Sequence, residues 1–297
     1  MTRFTGLSAF PITPSDAHGR VDTSALRTLV GRLAGAGVNS IGVLGSTGTY
    51  MYLSRDERAR AIEAAVAETS GRVPVMAGIG ALLTRDAIAL ARDAKALGAT
   101  AGLLAPVSYT PLTEDEVYEH FAAVAGESGL PIVIYDNPGT THFRFTPEMI
   151  ARLARLPGIV AAKNPTKSPD DTPGHLATLR ASVPAEFSIG YSGDWNCVEA
   201  LIAGGDAWYS VLAGMFPAVC VKMAHAAKTD PAEARRLNAA LMPVWDLMRQ
   251  HTGLRVMYVL AERLGIHAEP PRPILPLAEP VKQQVRDSFD ALSELLV

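Results

Sequence analysis

The chain has 297 residues, a formal net charge of −3, and 48% hydrophobic against 19% charged residues. That composition buries enough apolar surface to offset chain entropy, which excludes an intrinsically disordered protein, and the slight acidic excess speaks against a nucleic-acid binder. Two cysteines, Cys197 and Cys220, exclude a disulfide scaffold or a cysteine-rich metal site and fit small buried residues in a reducing cytosol.

The opening stretch, MTRFTGLSAFPITP, is broken by two prolines and lacks a signal-peptide core. The longest apolar runs fall short of the roughly 20 residues that cross a bilayer. A cytoplasmic protein with no membrane partner is expected. Short apolar runs then alternate with amphipathic stretches. The runs 6–12, 38–44, 73–79, 101–105, 131–135, 158–163, 187–191 and 207–212 read as strands. They lack period-two alternation, as parallel strands covered on both faces do. Helix starts are predicted at Asp22-Thr23-Ser24, Ser54, Thr84 and Thr113, the last with Glu116 three residues on as a capping box.

Eight such units predict an α/β fold, a (β/α)₈ TIM barrel with a C-terminal helical extension. An open doubly wound sheet is the rival, but no glycine-rich phosphate turn follows the first strand. The expected division is a barrel over residues 1–225 and a helical region over 226–297. That region carries the stretches PAEARRLNAALMPVWDLMRQ, LRVMYVLAERLG and VKQQVRDSFDALSELL, with a proline-rich link before the last.

A barrel puts its chemistry at the carboxyl ends of its strands. Of six lysines, Lys163 alone closes an apolar strand, GIVAAK. Burial disfavours an ammonium, and a neutral amine is a nucleophile that forms a Schiff base with a carbonyl. A paired loop lysine is the other reading, and Lys167 is the rival amine. The turn Gly45-Ser46-Thr47-Gly48 follows the second strand and offers backbone N–H groups and two hydroxyls to a carboxylate or phosphate, or is an ordinary tight turn. Tyr135, in IVIYDNP, either relays protons or packs its ring. YSGDWN and GGDAWYS, at strands seven and eight, are weaker candidates for anion binding. The seven histidines show no metal-ligand spacing, so no metal is expected. Trp195, Trp208 and Trp245 read as packing residues.

Taken together these segments resemble the dihydrodipicolinate synthase and N-acetylneuraminate lyase family of class I, Schiff-base aldolases. The match runs in order from SAFPITP through GSTG, AGIGA, LAPVSYTP, IYDNP, the strand ending in Lys163, and YSGDWN to GGDAWYSVLAGMFP. GSTG resembles the family's GTTGE, Tyr135 its YN-x-P tyrosine, and Lys163 the lysine of its GIK motif. The resemblance implies a lyase in which Lys163 attacks the ketone of pyruvate or another 2-oxo acid. Ser46, Thr47 and Gly48 would hold its carboxylate and Tyr135 would move protons. It implies no organic or metal cofactor, an aldehyde as second substrate, and a homotetramer built as a dimer of dimers. The counterpart of Thr47 would link the tyrosine to a second tyrosine from a neighbouring subunit. Here Ser108 stands at that second position, with Tyr109 offset by one.

Three departures bear on substrate. The GTTGE glutamate is Thr49, followed by Tyr50. The YN-x-P asparagine is Asp136. Synthases that condense pyruvate with aspartate semialdehyde carry an arginine two residues after the proline, where Thr140 stands, with Arg144 four residues on. Tyr209 replaces an aliphatic residue whose carbonyl faces the site. The pattern fits a lyase for a longer 2-oxo acid as well as the lysine-pathway synthase. A 2-oxo acid sensor, which would lack the lysine or tyrosine, and a phosphate-binding barrel enzyme are the other classes.

Overall fold

The computed structural model describes residues 4–296; Met1 to Arg3 and Val297, the outer ends of the two expected regions, lie outside the described residues. Eight parallel strands close into a barrel in sequence order. They are β1 (Gly6–Ala9), β2 (Ser40–Val43), β3 (Val75–Gly78), β4 (Ala101–Leu104), β5 (Ile132–Tyr135), β6 (Ile159–Pro165), β7 (Ser188–Ser192) and β8 (Ala207–Ser210). Each falls in or on a run read from the sequence as a strand. The ring shuts where Gly6 to Ala9 pair with Ala207 to Ser210.

Helices cover the outside: α1 (Thr23–Gly35), α2 (Arg55–Thr69), α3 (Thr84–Ala96), α4 (Glu114–Ser128), α5 (Pro138–Thr141), α6 (Pro147–Leu153), α7 (Asp171–Ser182), α8 (Asp194–Ile202) and α9 (Pro217–Thr229). Asp22 and Ser54 cap α1 and α2 through their side chains, and Thr113 and Glu116 complete the capping box of α4. Thr84 does not cap α3. The cap is Leu83, and the Thr84 hydroxyl turns to His120 Nδ1 at 2.9 Å. Helix α9 completes the eighth unit and runs across position 226 to Thr229.

Beyond it lie α10 (Pro231–Ala240), α11 (Met242–His251), α12 (Gly253–Ala261), α13 (Glu279–Asp290) and α14 (Ser293–Leu296). The stretch read as one helix from 231 is two. Pro243 lacks the N–H a continuous helix needs, so the chain restarts with Pro243 in the first turn of α11.

Two apolar layers result. The larger lies between strands and helices. The smaller fills the barrel itself, from Phe4, Phe10, Met76, Leu103, Val133, Tyr135, Ala161, Ala207 and Tyr209, with its members taken from alternate positions along the strands. Cys197 and Cys220 are buried thiols, as expected, and burial holds both well above their ordinary value. No helix among the described residues is long and apolar enough to cross a membrane.

Candidate active site

Register brings the site together. Tyr135 on β5 pairs with Lys163 on β6, and Lys163 pairs with Gly190 on β7. Ala161 already faces the barrel interior, so Lys163, two residues on, faces it too. Its side chain rises into the mouth above the packed layer. Only 4% of Lys163 is exposed. Its Nζ lies 4.1 Å from the ring centre of Phe10, 4.3 Å from that of Tyr135 and 5.9 Å from that of Tyr209. No hydrogen-bond partner for this amine is found among the described residues.

Two glycines make room for that cage. A Cβ at Gly42 would stand 2.2 Å from Phe10 Cζ, and one at Gly190 would stand 2.4 Å from Tyr209 Cε2. Each ring approaches a strand that carries no side chain there.

After β2 the chain turns sharply. Leu44 and Thr49 both take the left-handed conformation, at φ 58° and 53°, an uncommon backbone for residues with a Cβ. The N–H of Thr49 bonds to the carbonyl of Ser46 at 3.1 Å. This turn aims Ser46 at Tyr135, with 3.1 Å between Ser46 Oγ and the Tyr135 hydroxyl. The hydroxyl that meets Tyr135 is therefore that of Ser46, not Thr47. Thr47 is buried beside it, and Gly48 backs onto Thr13, whose Oγ1 would stand 3.0 Å from a Cβ there.

Sequence reasoning passed over Asn137. Its side-chain Nδ2 donates to the Tyr135 hydroxyl at 3.0 Å and to Ser46 Oγ at 3.3 Å. An asparagine ahead of a proline reads as a loop residue, and only the fold turns it back onto the preceding strand.

Tyr109 and Thr140, also expected at the site, lie on the surface of the chain. Tyr109 is 97% exposed and touches neither hydroxyl. Thr140 is exposed in α5, and its Oγ1 donates to the Asn137 carbonyl at 3.2 Å. Arg144 and Lys167 are exposed. The Tyr209 ring lies in the barrel core, and its hydroxyl is buried without a partner. Gly204, Gly205 and Asp206 precede β8, at the end of the barrel away from the mouth. Asp206 there pairs with Arg180 at 2.5 Å, so this segment offers no anion site beside Lys163. Tyr50 is buried, and burial followed by the nearby Tyr135 pushes its phenol up, so it stays protonated. A cleft of about 680 Å³ lies elsewhere, between the loop after β1 and the C-terminal helices, and holds no lysine poised as Lys163 is.

Asp194, in YSGDWN, is a clamp rather than a ligand. Its buried carboxylate accepts from Trp208 Nε1 at 3.0 Å, Ser210 Oγ at 3.2 Å, and the backbone N–H of Val211 at 3.1 Å and Leu212 at 2.8 Å. Burial pushes its carboxyl up while these donors pull against it. His120 is buried and His175 half-buried, bonded to Thr84 and Tyr191. Trp208 and Trp245 are fully buried.

A buried lysine inside the barrel beside a pair of hydrogen-bonded hydroxyls is a place where Schiff-base chemistry can occur. A sequence model of the Dihydrodipicolinate synthetase family matches residues 3–292. The chain belongs to that family. The 4-hydroxy-tetrahydrodipicolinate synthase of Alcanivorax borkumensis is 34% identical over 281 residues, covering 94% of both chains. The crystal structure of a dihydrodipicolinate synthase from Agrobacterium tumefaciens str. C58 superposes with a TM-score of 0.95 at 53% identity, over 98% of both chains. A chloride-inhibited dihydrodipicolinate synthase from Acinetobacter baumannii, solved with pyruvate, superposes at 0.89 with 28% identity over 99% of both chains. Family membership makes the chain a lyase of the aldolase type on a TIM barrel.

Proposed function

We propose that Lys163 is the amine that forms the imine with pyruvate or another 2-oxo acid. The observation that carries this is the enclosed amine, held by aromatic rings beside the Tyr135–Ser46 pair. The Nζ lone pair bonds to the keto carbon, and one N–H proton passes to the former keto oxygen. A second proton, from Tyr135, lets that oxygen leave as water. The iminium then draws electrons from the adjacent carbon, whose bond to hydrogen or carbon breaks or forms. Ser46, Thr47 and Gly48 hold the carboxylate with hydroxyl and backbone donors. Incubation with pyruvate and borohydride, followed by mass spectrometry, will place the adduct on Lys163. Lys163→Ala will trap nothing while keeping its circular dichroism spectrum. An adduct on Lys167 would overturn the assignment.

The curated relative favours a second reading, condensation of pyruvate with aspartate semialdehyde. Thr140 weighs against it. A guanidinium grips a carboxylate with two charge-assisted hydrogen bonds, whereas the Thr140 hydroxyl is turned to the Asn137 carbonyl. Losing such a grip costs about 2–4 kcal/mol, or roughly 30- to 1,000-fold in kcat/KM. The expected enzyme traps pyruvate readily and condenses it slowly with aspartate semialdehyde. Assays of the parent, Thr140→Arg and Arg144→Ala test this. Fast condensation lost in Arg144→Ala would make Arg144 the anchor, and fast condensation in all three would remove the argument.

A homotetramer in the cytoplasm belongs to the same proposal. Leu82, Leu83 and Tyr109, at 60%, 47% and 97% exposure, are large apolar side chains on the loops before α3 and α4, where a second copy could cover them.

A further inference from the structure

The Schiff-base reading needs Tyr135 to give up a proton and take it back. A tyrosine does this well only if its oxygen is stabilised as the proton leaves. In the family pattern a second tyrosine serves the hydroxyl pair. Within this chain Ser108 stands at that position, Tyr109 points to solvent, and neither bonds to Ser46 or Tyr135.

Within the chain, the side chain that meets both hydroxyls is that of Asn137. Tyr135 Oη, Ser46 Oγ and Asn137 Nδ2 form a triangle with edges of 3.1, 3.0 and 3.3 Å. The hydrogens can be counted. Nδ2 carries two and has no lone pair to accept with, so it donates one to each oxygen. One hydroxyl hydrogen bridges the two oxygens. The other must leave the triangle. When Ser46 supplies the bridge, Tyr135 accepts two hydrogen bonds and its own proton points out to the substrate. After that proton has gone, the oxygen keeps both donors.

Asn137 is itself held firmly. Pro138 restricts its backbone. Its carbonyl accepts from the N–H groups of Thr140 and Thr141, both at 3.0 Å, and from their hydroxyls at 3.2 and 3.0 Å. The amide therefore meets Tyr135 without a fresh loss of rotamer freedom at each turnover. The residue at the family's arginine position thus serves here as a brace for Asn137.

We propose that Asn137 is a positioning residue of the reaction, donating both hydrogens of its side-chain amide to Tyr135 and Ser46 and so aiming the Tyr135 proton at the carbinolamine. In that step the proton moves from Tyr135 Oη to the carbinolamine hydroxyl, the C–O bond breaks, and water leaves. The adjacent carbon of the iminium later returns a proton to Tyr135 as the enamine forms. This inference rests on the Schiff-base reading above.

The test is the rate of imine formation with pyruvate, read by rapid borohydride quench and intact mass. Asn137→Leu removes the donors, and Asn137→Asp keeps the shape while replacing Nδ2 by an acceptor. Both should slow imine formation on the order of 10- to 100-fold at saturating pyruvate. Half-saturation should move less than about threefold, and the solvent deuterium isotope effect on the step should rise. In a Tyr135→Phe background, Asn137→Leu should cost less than about twofold more, because the two act as one unit. Parent-like rates in both variants would overturn the inference, as would an equal loss in the Tyr135→Phe background. A change confined to half-saturation would make Asn137 a carboxylate holder instead. A parent enzyme that yields no Lys163 adduct would bring down the Schiff-base reading, and this inference with it, by a separate observation.

Discussion

Asp136 shows how one residue's burial sets a pH dependence. It follows Tyr135, its Oδ1 has no partner, and burial pushes its carboxyl up to about 6. The Phe145 N–H, Arg144 and Lys167 pull it down without prevailing. The folded state therefore holds this proton more tightly than the unfolded chain does. Its contribution to stability is fully present below about pH 4 and is lost as pH rises through about 6. The amide of Asp136→Asn is nearly isosteric, carries no charge and still accepts from the Phe145 N–H. Urea unfolding should show the variant more stable than the parent by about 2–3 kcal/mol at pH 7.5, with the difference gone by about pH 4. A difference independent of pH would show that the buried charge is not its cause. Lys163 and Lys167 carry the same side chain four residues apart, yet the first is buried in the barrel and the second is exposed.

At the scale of elements, the loop after β8 is held by a side chain from α8. Asp194 starts α8 and accepts from the two N–H groups that follow Ser210. Without it, Trp208 Nε1, Ser210 Oγ and two backbone donors lose their acceptor in a site that excludes water. Asp194→Ala should destabilise the protein by about 2–4 kcal/mol by chemical denaturation. Hydrogen exchange at Val211 and Leu212 should rise before exchange elsewhere in the barrel. Unchanged exchange there would mean that α9 packing, not the carboxylate, fixes the loop. The helix starts that sequence reading placed well, at Asp22, Ser54 and Thr113, are those whose cap is local to the chain. Thr84 failed as a cap because His120, 36 residues away, takes its hydroxyl.

At the scale of the molecule, a barrel has no sheet edge, so association must use helices and loops. Leu82, Leu83 and Tyr109 are large apolar side chains exposed on the loops before α3 and α4, and the proposed assembly would cover them. Sedimentation at micromolar concentration should show a species near four times the 31.5 kDa chain mass. Leu83→Asp should shift it to smaller species while leaving the monomer folded, since Leu83 is half in water already. A 31.5 kDa species in the parent would refute the assembly.

Local chemistry made much of this protein legible in one dimension. Apolar runs the length of strands, helix caps and glycine turns are properties of neighbouring residues, so the eight βα units and the place of Lys163 on the sixth strand could be read directly, although β6 runs on to Pro165 rather than ending at the lysine. The motifs GSTG and IYDNP were legible for the same reason. Contacts between strands were not. The Ser46–Tyr135 bond joins residues 89 apart, and the Phe10 and Tyr209 rings reach Lys163 from just past the first strand and from the last strand of the barrel. Which hydroxyl of GSTG faces Tyr135 depends on the left-handed turn at Leu44 and Thr49. Asn137 reaches Tyr135 and Ser46 only because the chain folds back after β5, and the same fold turns the Thr140 hydroxyl to the Asn137 carbonyl. Barrel closure decided these pairings, because register and twist set which side chains share the interior, and neither quantity is carried by any single segment.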